Sequence, residues 1–299
     1  MSQSQPATFS TVNQLSEALS SVGYIATEEI ATVLFLSHKL GKPILVEGPA
    51  GTGKTELAKA YNKVRNSELV RLQCHEGLDA ANALYEWDYS LQLLKIQNDR
   101  SADSPSSSWA KTKGEIFSEE FLLERPVLSA LRGGDSKLLL IDEVDRVELE
   151  TEALLLEALS EFQISIPELG TVAATSQPAV VLTSNNTREL SEALKRRCLF
   201  LFLDYPDVKR EAEIVALRVV GIDENLSQQL ADFVAEVRDE SLRKSPSVSE
   251  TIDWAEAIVA LGTQLAADGT LDESTKRASL PILLKYSEDI RSAKARLGL

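Results

Sequence analysis

The sequence predicts an α/β fold, a parallel sheet layered between helices, followed by a smaller all-helical domain. Three observations predict it. Apolar Ile44-Leu45-Val46 runs directly into a glycine-rich loop and then a helical pattern, giving the order strand, loop, helix. Leu138-Leu139-Leu140-Ile141 is an almost unbroken apolar run, as expected of a central parallel strand buried on both faces, and Asp142-Glu143 follows it at once. From Asp207 onward no strand pattern recurs, and only helical spacings remain.

In chain order, Val12, Leu15, Leu19 and Val22 have helical spacing and stop at Gly23; a second helical pattern runs from Thr27 through Ile30, Val33 and Leu34 to Gly41. The first strand is Pro43 to Glu47, and Leu57, Ala58, Ala60 and Tyr61 mark the helix after the loop. Leu69 to Gln73 predicts a second strand. Gly77 to Gln97 has helical patterning interrupted by aromatic residues, and its role is not legible from periodicity. Ser101 to Ser108 is too polar to bury a face and predicts a surface loop. A helix is predicted over Glu119 to Arg132, then the central strand Lys137 to Ile141, a helix Glu150 to Glu161, and a hairpin from Phe162 to Ile166 and Thr171 to Ala173. Ala179 to Leu182 is another buried strand, ending in Thr183-Ser184-Asn185, and Leu199 to Leu203 supplies the last one. Four helices are predicted after it: Val208 to Val220, Leu226 to Arg243, Thr251 to Leu265 and Leu280 to Ala295. The boundary between the two domains, 1–206 and 207–299, therefore falls near Pro206. No repeat at periods of 20 to 50 residues interrupts this order.

The 299 residues carry 46 acidic against 31 basic side chains, a formal net charge of −15. Such a balance argues against a dedicated duplex-DNA binder, which needs a basic face to displace counterions. With 43% hydrophobic and 26% charged residues the composition is that of a soluble globular protein, at a length that exceeds what one core usually organises. Two cysteines, Cys74 and Cys198, are too few for a disulfide framework or a cysteine zinc cluster, and a reduced, cytoplasmic life is the expectation. Met1 to Thr11 lacks the charged-then-apolar pattern of a signal peptide, and no apolar run approaches the ~20 residues of a bilayer span. Neither export nor membrane insertion is expected.

Gly48, Pro49, Ala50, Gly51, Thr52, Gly53, Lys54 and Thr55 fit the pattern G-x-x-x-x-G-K-[ST], which chance places in a chain of this length about once in a hundred. Glycines let backbone amides turn inward to line an anion nest at a helix N-terminus, where the dipole also favours negative charge. Lys54 is expected to reach the β- and γ-phosphates of ATP, and the Thr55 hydroxyl to ligate Mg2+. Asp142, at the carboxyl end of a buried strand, is placed to hold the magnesium shell, and Glu143 to polarise a water for attack on the γ-phosphate. Without the loop, the same acidic pair reads equally as a helix N-cap. Asn185 can hydrogen-bond an attacking water and a phosphate oxygen, and alone it is as readily a turn residue. Lys195-Arg196-Arg197 either solvates a surface or presents a guanidinium to transition-state charge, which in a ring would be the neighbour's. His38 and His75 have no partners at metal-ligand spacing and read as structural. Trp87, Trp109 and Trp254 read as packing residues.

The set Gly48 to Thr55, Leu138 to Arg146 (LLLIDEVDR), Thr183-Ser184-Asn185 and Leu194 to Arg197, in this order, resembles the AAA+ ATPases. With Arg71 to Tyr89, Phe121 to Leu131, Val181 to Pro206 and Ser247 to Trp254 added, the chain resembles the MoxR family, in particular its CoxD-like members. The resemblance implies a P-loop NTPase αβα domain, a helical lid, and ATP bound between protomers of a hexameric ring. It implies that Asn185 is the sensor-1 residue, Arg197 the arginine finger with Arg196 as fallback, and Glu143 the catalytic glutamate. It further implies that Gly77 to Gln97 is the helix-2 insert and Phe162 to Ala173 the pre-sensor-1 hairpin, both facing the pore. A partner with a von Willebrand factor A domain and a client protein or metalloenzyme are implied as well, the pair acting in chaperone-like remodelling or metal-cofactor insertion. One departure stands out: the family's sensor-2 arginine follows a small residue and a proline, whereas this chain reads Ser245-Pro246-Ser247-Val248-Ser249-Glu250. Arg243 and Lys244 are the candidates to replace it. That departure leaves open a nucleotide-gated assembly module in which hydrolysis is incidental.

Overall fold

The computed structural model describes residues 7–101, 114–262 and 270–298. Apart from Ser101, the serine-rich stretch expected as a loop lies outside the described residues, as does Trp109. The chain divides into two compact units. One comprises residues up to Val22, Ala26–Glu47 and Thr55–Leu201; the other comprises Gly23–Ile25, Gly48–Lys54 and Phe202–Leu299.

Two helices open the first unit, α1 (Val12–Ser21) and α2 (Glu28–Leu40). The Thr27 hydroxyl accepts a hydrogen bond from the Ile30 amide, and Gly41 stops α2 in the left-handed region at φ 63°; such a cap contributes about 1 kcal/mol. Next come β1 (Ile44–Glu47), α3 (Lys54–Arg65) and β2 (Glu68–Gln73). The segment that periodicity left unread forms α4 (Ala80–Ala83), β3 (Tyr85–Trp87) and α5 (Tyr89–Ser101). The helix predicted over Glu119 to Arg132 is corrected: Leu122–Glu124 is a strand, β4, antiparallel to β3, and only Pro126–Gly133 is helical, as α6. Arg125 precedes a proline, which disfavours helical backbone, and it is extended at φ −88°, ψ 168°. Pro126 is then well placed at the start of α6.

The unit continues with β5 (Lys137–Asp142), α7 (Leu149–Glu161), the hairpin β6 (Gln163–Ile166) and β7 (Gly170–Ala173), then β8 (Ala179–Ser184), α8 (Glu192–Arg197) and β9 (Leu199–Phe202). The main sheet has the order β2-β5-β8-β1-β9, and β2, β5, β8 and β1 run parallel. Leu138 to Ile141 are all at most 1% exposed, so β5 is buried on both faces as its apolar run predicts. Leu139 and Ile141 join a core with Leu128, Leu131, Leu155 and Leu194, where each fully buried side chain contributes about 1.5–3 kcal/mol. Trp87 packs in the same core, edge-on to Phe117 at 5.2 Å. From β1 the chain crosses to the far edge at β2, returns through β5 and β8, and only later adds β9 on the other side. The switch point therefore lies at the carboxyl end of β1, where open α/β sheets bind ligands.

The carboxyl-terminal helices of the second unit are α9 (Val208–Arg218), α10 (Glu224–Arg238), α11 (Val248–Ala260), α12 (Glu273–Leu283) and α13 (Ser287–Arg296). The single helix predicted over Leu280 to Ala295 is corrected to the last two. Pro281 cannot donate to the helical ladder, α12 ends two residues later, and Tyr286 is extended at φ −116°, ψ 133°. Trp254 is fully buried against Phe233 and donates from its indole to the Ser279 hydroxyl at 2.7 Å, the packing role its sequence context predicts. The Arg238 guanidinium grips the Glu211 carboxylate with both Nη atoms, donates from Nε to the Pro246 carbonyl at 2.8 Å, and stacks on Tyr205; Thr251 donates to the same carboxylate at 2.7 Å.

Glu211 is fully buried, so removing its partner strands a charge. Arg238→Ala is therefore expected to lower stability by about 3–5 kcal/mol, read as a fall in the urea midpoint, while Arg238→Met with Glu211→Leu recovers most of it.

Candidate functional site

The glycine-rich loop leaves β1 and enters α3 as the strand-loop-helix order predicts. Gly51 has φ +78°, and a side chain there would begin 2.2 Å from the Ser247 Cβ; only glycine allows this backbone and this approach. Gly53 has φ +93°, with no atom within 4 Å of where its side chain would begin, so this part of the loop backbone is open to a ligand. Lys54 is 6% exposed and turns its ammonium back over the loop, donating to the carbonyls of Gly48 at 2.9 Å and Pro49 at 2.7 Å. Thr52 donates to the same Pro49 carbonyl at 3.0 Å. A lysine cation held over a glycine-rich loop that opens a helix supplies the positive charge a phosphate chain requires.

Immediately after Lys54, the Thr55 hydroxyl donates to Asp142 Oδ1 at 3.0 Å. Asp142, 3% exposed at the end of β5, also accepts from Thr183 on β8 at 2.5 Å and from Arg71 on β2, through Nη2 at 2.5 Å and Nε at 3.1 Å. Thr183 in turn accepts the Glu143 amide at 2.9 Å, fixing the acidic pair to the neighbouring strand. A threonine hydroxyl and a carboxylate oxygen at hydrogen-bond distance are the hard oxygen donors that magnesium takes, so the residues present fit that ion. Glu143 sits in left-handed backbone at φ 58°, ψ 50°, and its Oε2 is 2.7 Å from the Arg146 Nε.

Asn185 follows β8. Its amide donates to Asp145 Oδ1 at 3.2 Å, and Thr187 donates to Oδ2 from its amide at 2.9 Å and its hydroxyl at 2.6 Å. Burial works to raise the Asp145 pKa, but the hydrogen bonds from Thr187 and Asn185 outweigh it and hold the carboxyl below its ordinary value. Farther along, Arg188 donates to the Val147 carbonyl at 3.0 Å and to Glu152 at 2.6 Å, and Glu152 accepts the Ser191 amide at 2.8 Å. This buried carboxylate anchors the start of α8, whose last turn presents Arg196 and Arg197 to solvent. Arg197 donates to the Ala193 carbonyl at 3.2 Å; Arg196 is 81% exposed with its Nε 3.9 Å from Glu192.

Thr55, Asp142 and Glu143 thus come together across α3, β5 and β8. Asn185 is held near them in the chain topology by Asp145, while Arg196 and Arg197 lie on an exposed helix end. Sequence reasoning missed Arg71, Asp145, Arg146 and Thr183 as supports. Arg243 and Lys244, just upstream of Ser245-Pro246-Ser247, are engaged elsewhere: Arg243 stacks 4.3 Å from the Tyr286 ring centroid, and Lys244 pairs with Glu250 at 2.9 Å. Ser247 itself caps α11, sharing a reciprocal capping box with Glu250. Among the described residues no three His, Cys, Asp or Glu side chains gather to hold a metal, and no helix is long and apolar enough to cross a membrane.

A phosphate-binding loop at the switch point of a parallel sheet, with an aspartate and glutamate ending a neighbouring strand and a helical unit after the sheet, defines a P-loop nucleotide-binding protein of the AAA+ fold. The chain belongs to the AAA domain family, dynein-related subfamily, whose model matches residues 43–198. An uncharacterized protein of Staphylococcus epidermidis is 27% identical over 276 residues, spanning 90% of this chain and 92% of that one. Another, of Staphylococcus haemolyticus, is 25% identical over 243 residues, spanning 78% and 84% respectively. Among solved structures, a mutant RuvB of Thermotoga maritima superposes with a TM-score of 0.50 at 15% identity, covering 91% of this chain and 72% of that one; this likeness concerns the fold.

Because the Asp145 pKa is lowered in the folded state, its contribution is complete above the ordinary aspartate value of 3.8 and is lost as pH falls through and below it. Urea midpoints measured from pH 6 to pH 3 are expected to drop more steeply for wild type than for Asp145→Asn, which starts about 1–3 kcal/mol less stable near neutrality.

Proposed function

We propose that this chain is a magnesium-dependent ATPase of the MoxR type, close to the CoxD-like members, hydrolysing ATP between protomers of a homohexameric ring in the cytoplasm. Residues 1–206 form its nucleotide-binding part and residues 207–299 its lid. The observation that carries this reading is the Thr55–Asp142 hydrogen bond, which joins the residue ending the glycine-rich loop to the acidic pair of β5. Family membership supports ATP as the ligand. The −15 charge weighs against a nucleic-acid substrate.

In this reading the amides of Gly48 to Gly53 bind the phosphate chain, and Lys54 exchanges the Gly48 and Pro49 carbonyls for phosphate oxygens. Thr55 and Asp142 would hold magnesium, which would supply charge neutralisation to the phosphates. Glu143 accepts a proton as water attacks the γ-phosphorus and the bond to the bridging oxygen breaks; Asn185 orients that water. Arg197 of a neighbouring protomer, with Arg196 as fallback, stabilises the equatorial oxygens, which suits the solvent-facing end of α8. A von Willebrand factor A domain protein and a client protein or metalloenzyme are the partners through which turnover would drive remodelling.

A second reading, a nucleotide-gated assembly module with slow hydrolysis, is favoured by Ser247 at the sensor-2 position and by the engagement of Arg243 and Lys244.

ATP hydrolysis and solution mass, measured together with and without Mg-ATP, test both. The motor reading expects a nucleotide-dependent shift to a ring, hydrolysis reduced about 10²–10⁴-fold in Glu143→Gln with binding retained, and about 10³–10⁵-fold in Arg197→Ala. Normal turnover in either variant overturns those roles. A basal rate that assembly and added partner leave unchanged favours the gated module.

A further inference from the structure

The nucleotide loop and acidic pair stand at the carboxyl ends of the parallel strands. At their amino ends the first unit has a separate cavity of about 300 Å³, bordered by Lys42 just before β1, Asp135 just before β5 and Ala179 opening β8. Its other walls include His38, Lys39, Tyr61 and Arg65, from the last turns of α2 and α3.

Arg65 is the unusual member. It is 4% exposed, and its side-chain hydrogen bonds go to neutral groups. Its Nη1 donates to His38 Nδ1 at 2.9 Å, its Nη2 to the Asp135 carbonyl at 3.2 Å, and its buried Nε has no partner. A guanidinium only donates, so His38 accepts through Nδ1 and is neutral. Burial, with Arg65 and Lys39 beside it, lowers the His38 pKa and keeps it so. The contrast within the molecule is direct: Arg238 meets Glu211 and Arg188 meets Glu152, both carboxylates buried. A desolvated guanidinium facing only neutral groups is costly unless an anion completes it.

The charge around the cavity points the same way. Arg65, Lys39 and Lys42 against Asp135 leave two net positive charges on a chain of net −15. The Asp135 carboxylate is turned to the Ser176 hydroxyl, 3.2 Å away. An arginine fork between lysines suits an oxyanion, and a double positive charge suits a dianion. The volume lies at the small end of ligand pockets, which suits a compact ligand.

We infer that this cavity is a second ligand site, distinct from the nucleotide loop, which takes a compact phosphomonoester or inorganic phosphate on Arg65, Lys39 and Lys42. The three strands β1, β5 and β8 run from this site to the catalytic end, so occupancy at one edge of the sheet has a rigid connection to the other.

The two histidines of the chain give the test its readout. Inorganic phosphate, glycerol 3-phosphate and succinate are titrated at fixed pH into the full chain carrying Lys54→Ala, which disables the nucleotide loop, while imidazole nitrogen resonances are followed by NMR. The expected result is a saturable shift of His38 with both phosphates and none of exposed His75. Lys39→Ser with Lys42→Ser is expected to weaken the affinity at least tenfold, and Arg65→Gln to abolish the shift, with melting curves checking that each variant is folded. If Arg65→Gln does not fold, the surface lysine pair decides alone. A His38 resonance unmoved by phosphate, or moved equally with and without the two lysines, overturns the site. A response to succinate as strong as that to phosphate overturns its phosphoryl character.

Discussion

Asp142 is almost wholly removed from water, yet its carboxylate is held by three elements besides its own: Thr55 from α3, Thr183 from β8 and Arg71 from β2. A buried carboxylate is tolerable only when its oxygens are satisfied, and each donor here comes from a different part of the sheet layer. The register of β2, β5 and β8 is thereby tied to one side chain, and Gln73 pairs opposite Asp142 where β2 and β5 end together. The Glu143 amide bound to Thr183 extends the same knot by one residue. Chemistry placed here inherits its geometry from strand pairing rather than from a mobile loop.

The same device recurs outward from the centre. Asp145 pins the loop after β8 through Asn185 and Thr187, and Glu152 pins the next stretch through Arg188 and Ser191. In the second unit Glu211 gathers Arg238 and Thr251. Each acid converts an irregular segment into one with defined hydrogen-bond partners. Irregular backbone would otherwise be left to solvent at the very places where the site residues are displayed. Arg65 inverts this pattern, a buried cation whose anion is not part of the fold.

Features encoded locally were legible in the sequence. The phosphate loop, the apolar run of β5, the acidic pair after it and the threonine and glycine that bracket α2 all carry short-range signatures, and all stand where they were expected. The pairing of β3 with β4 was not legible, because a three-residue strand has no period to detect and its partner lies some 37 residues away. Two expected helices ran across prolines: Pro126 opens α6 and so breaks the span from Glu119 to Arg132, while Pro281 lies inside α12, two residues before its end. The supports of the site joined residues 71 and 40 positions apart, as in Arg71 with Asp142 and Asn185 with Asp145. No local pattern announces such a contact. The cavity at the amino ends of the strands is of the same kind, since His38, Arg65 and Asp135 meet only after the sheet has formed.

Glu143 occupies left-handed backbone that glycine or asparagine would hold more comfortably, by about 1 kcal/mol. Selection for thermal robustness alone would therefore push this position toward those residues, and the resulting proteins would keep the sheet, the loop and the magnesium donors. They would lose the Glu143 carboxylate and its pairing with Arg146. Under the proposed role of Glu143, heat tolerance and turnover would pull on the same backbone torsion in opposite directions, and laboratory evolution of this scaffold would need an activity screen at every round.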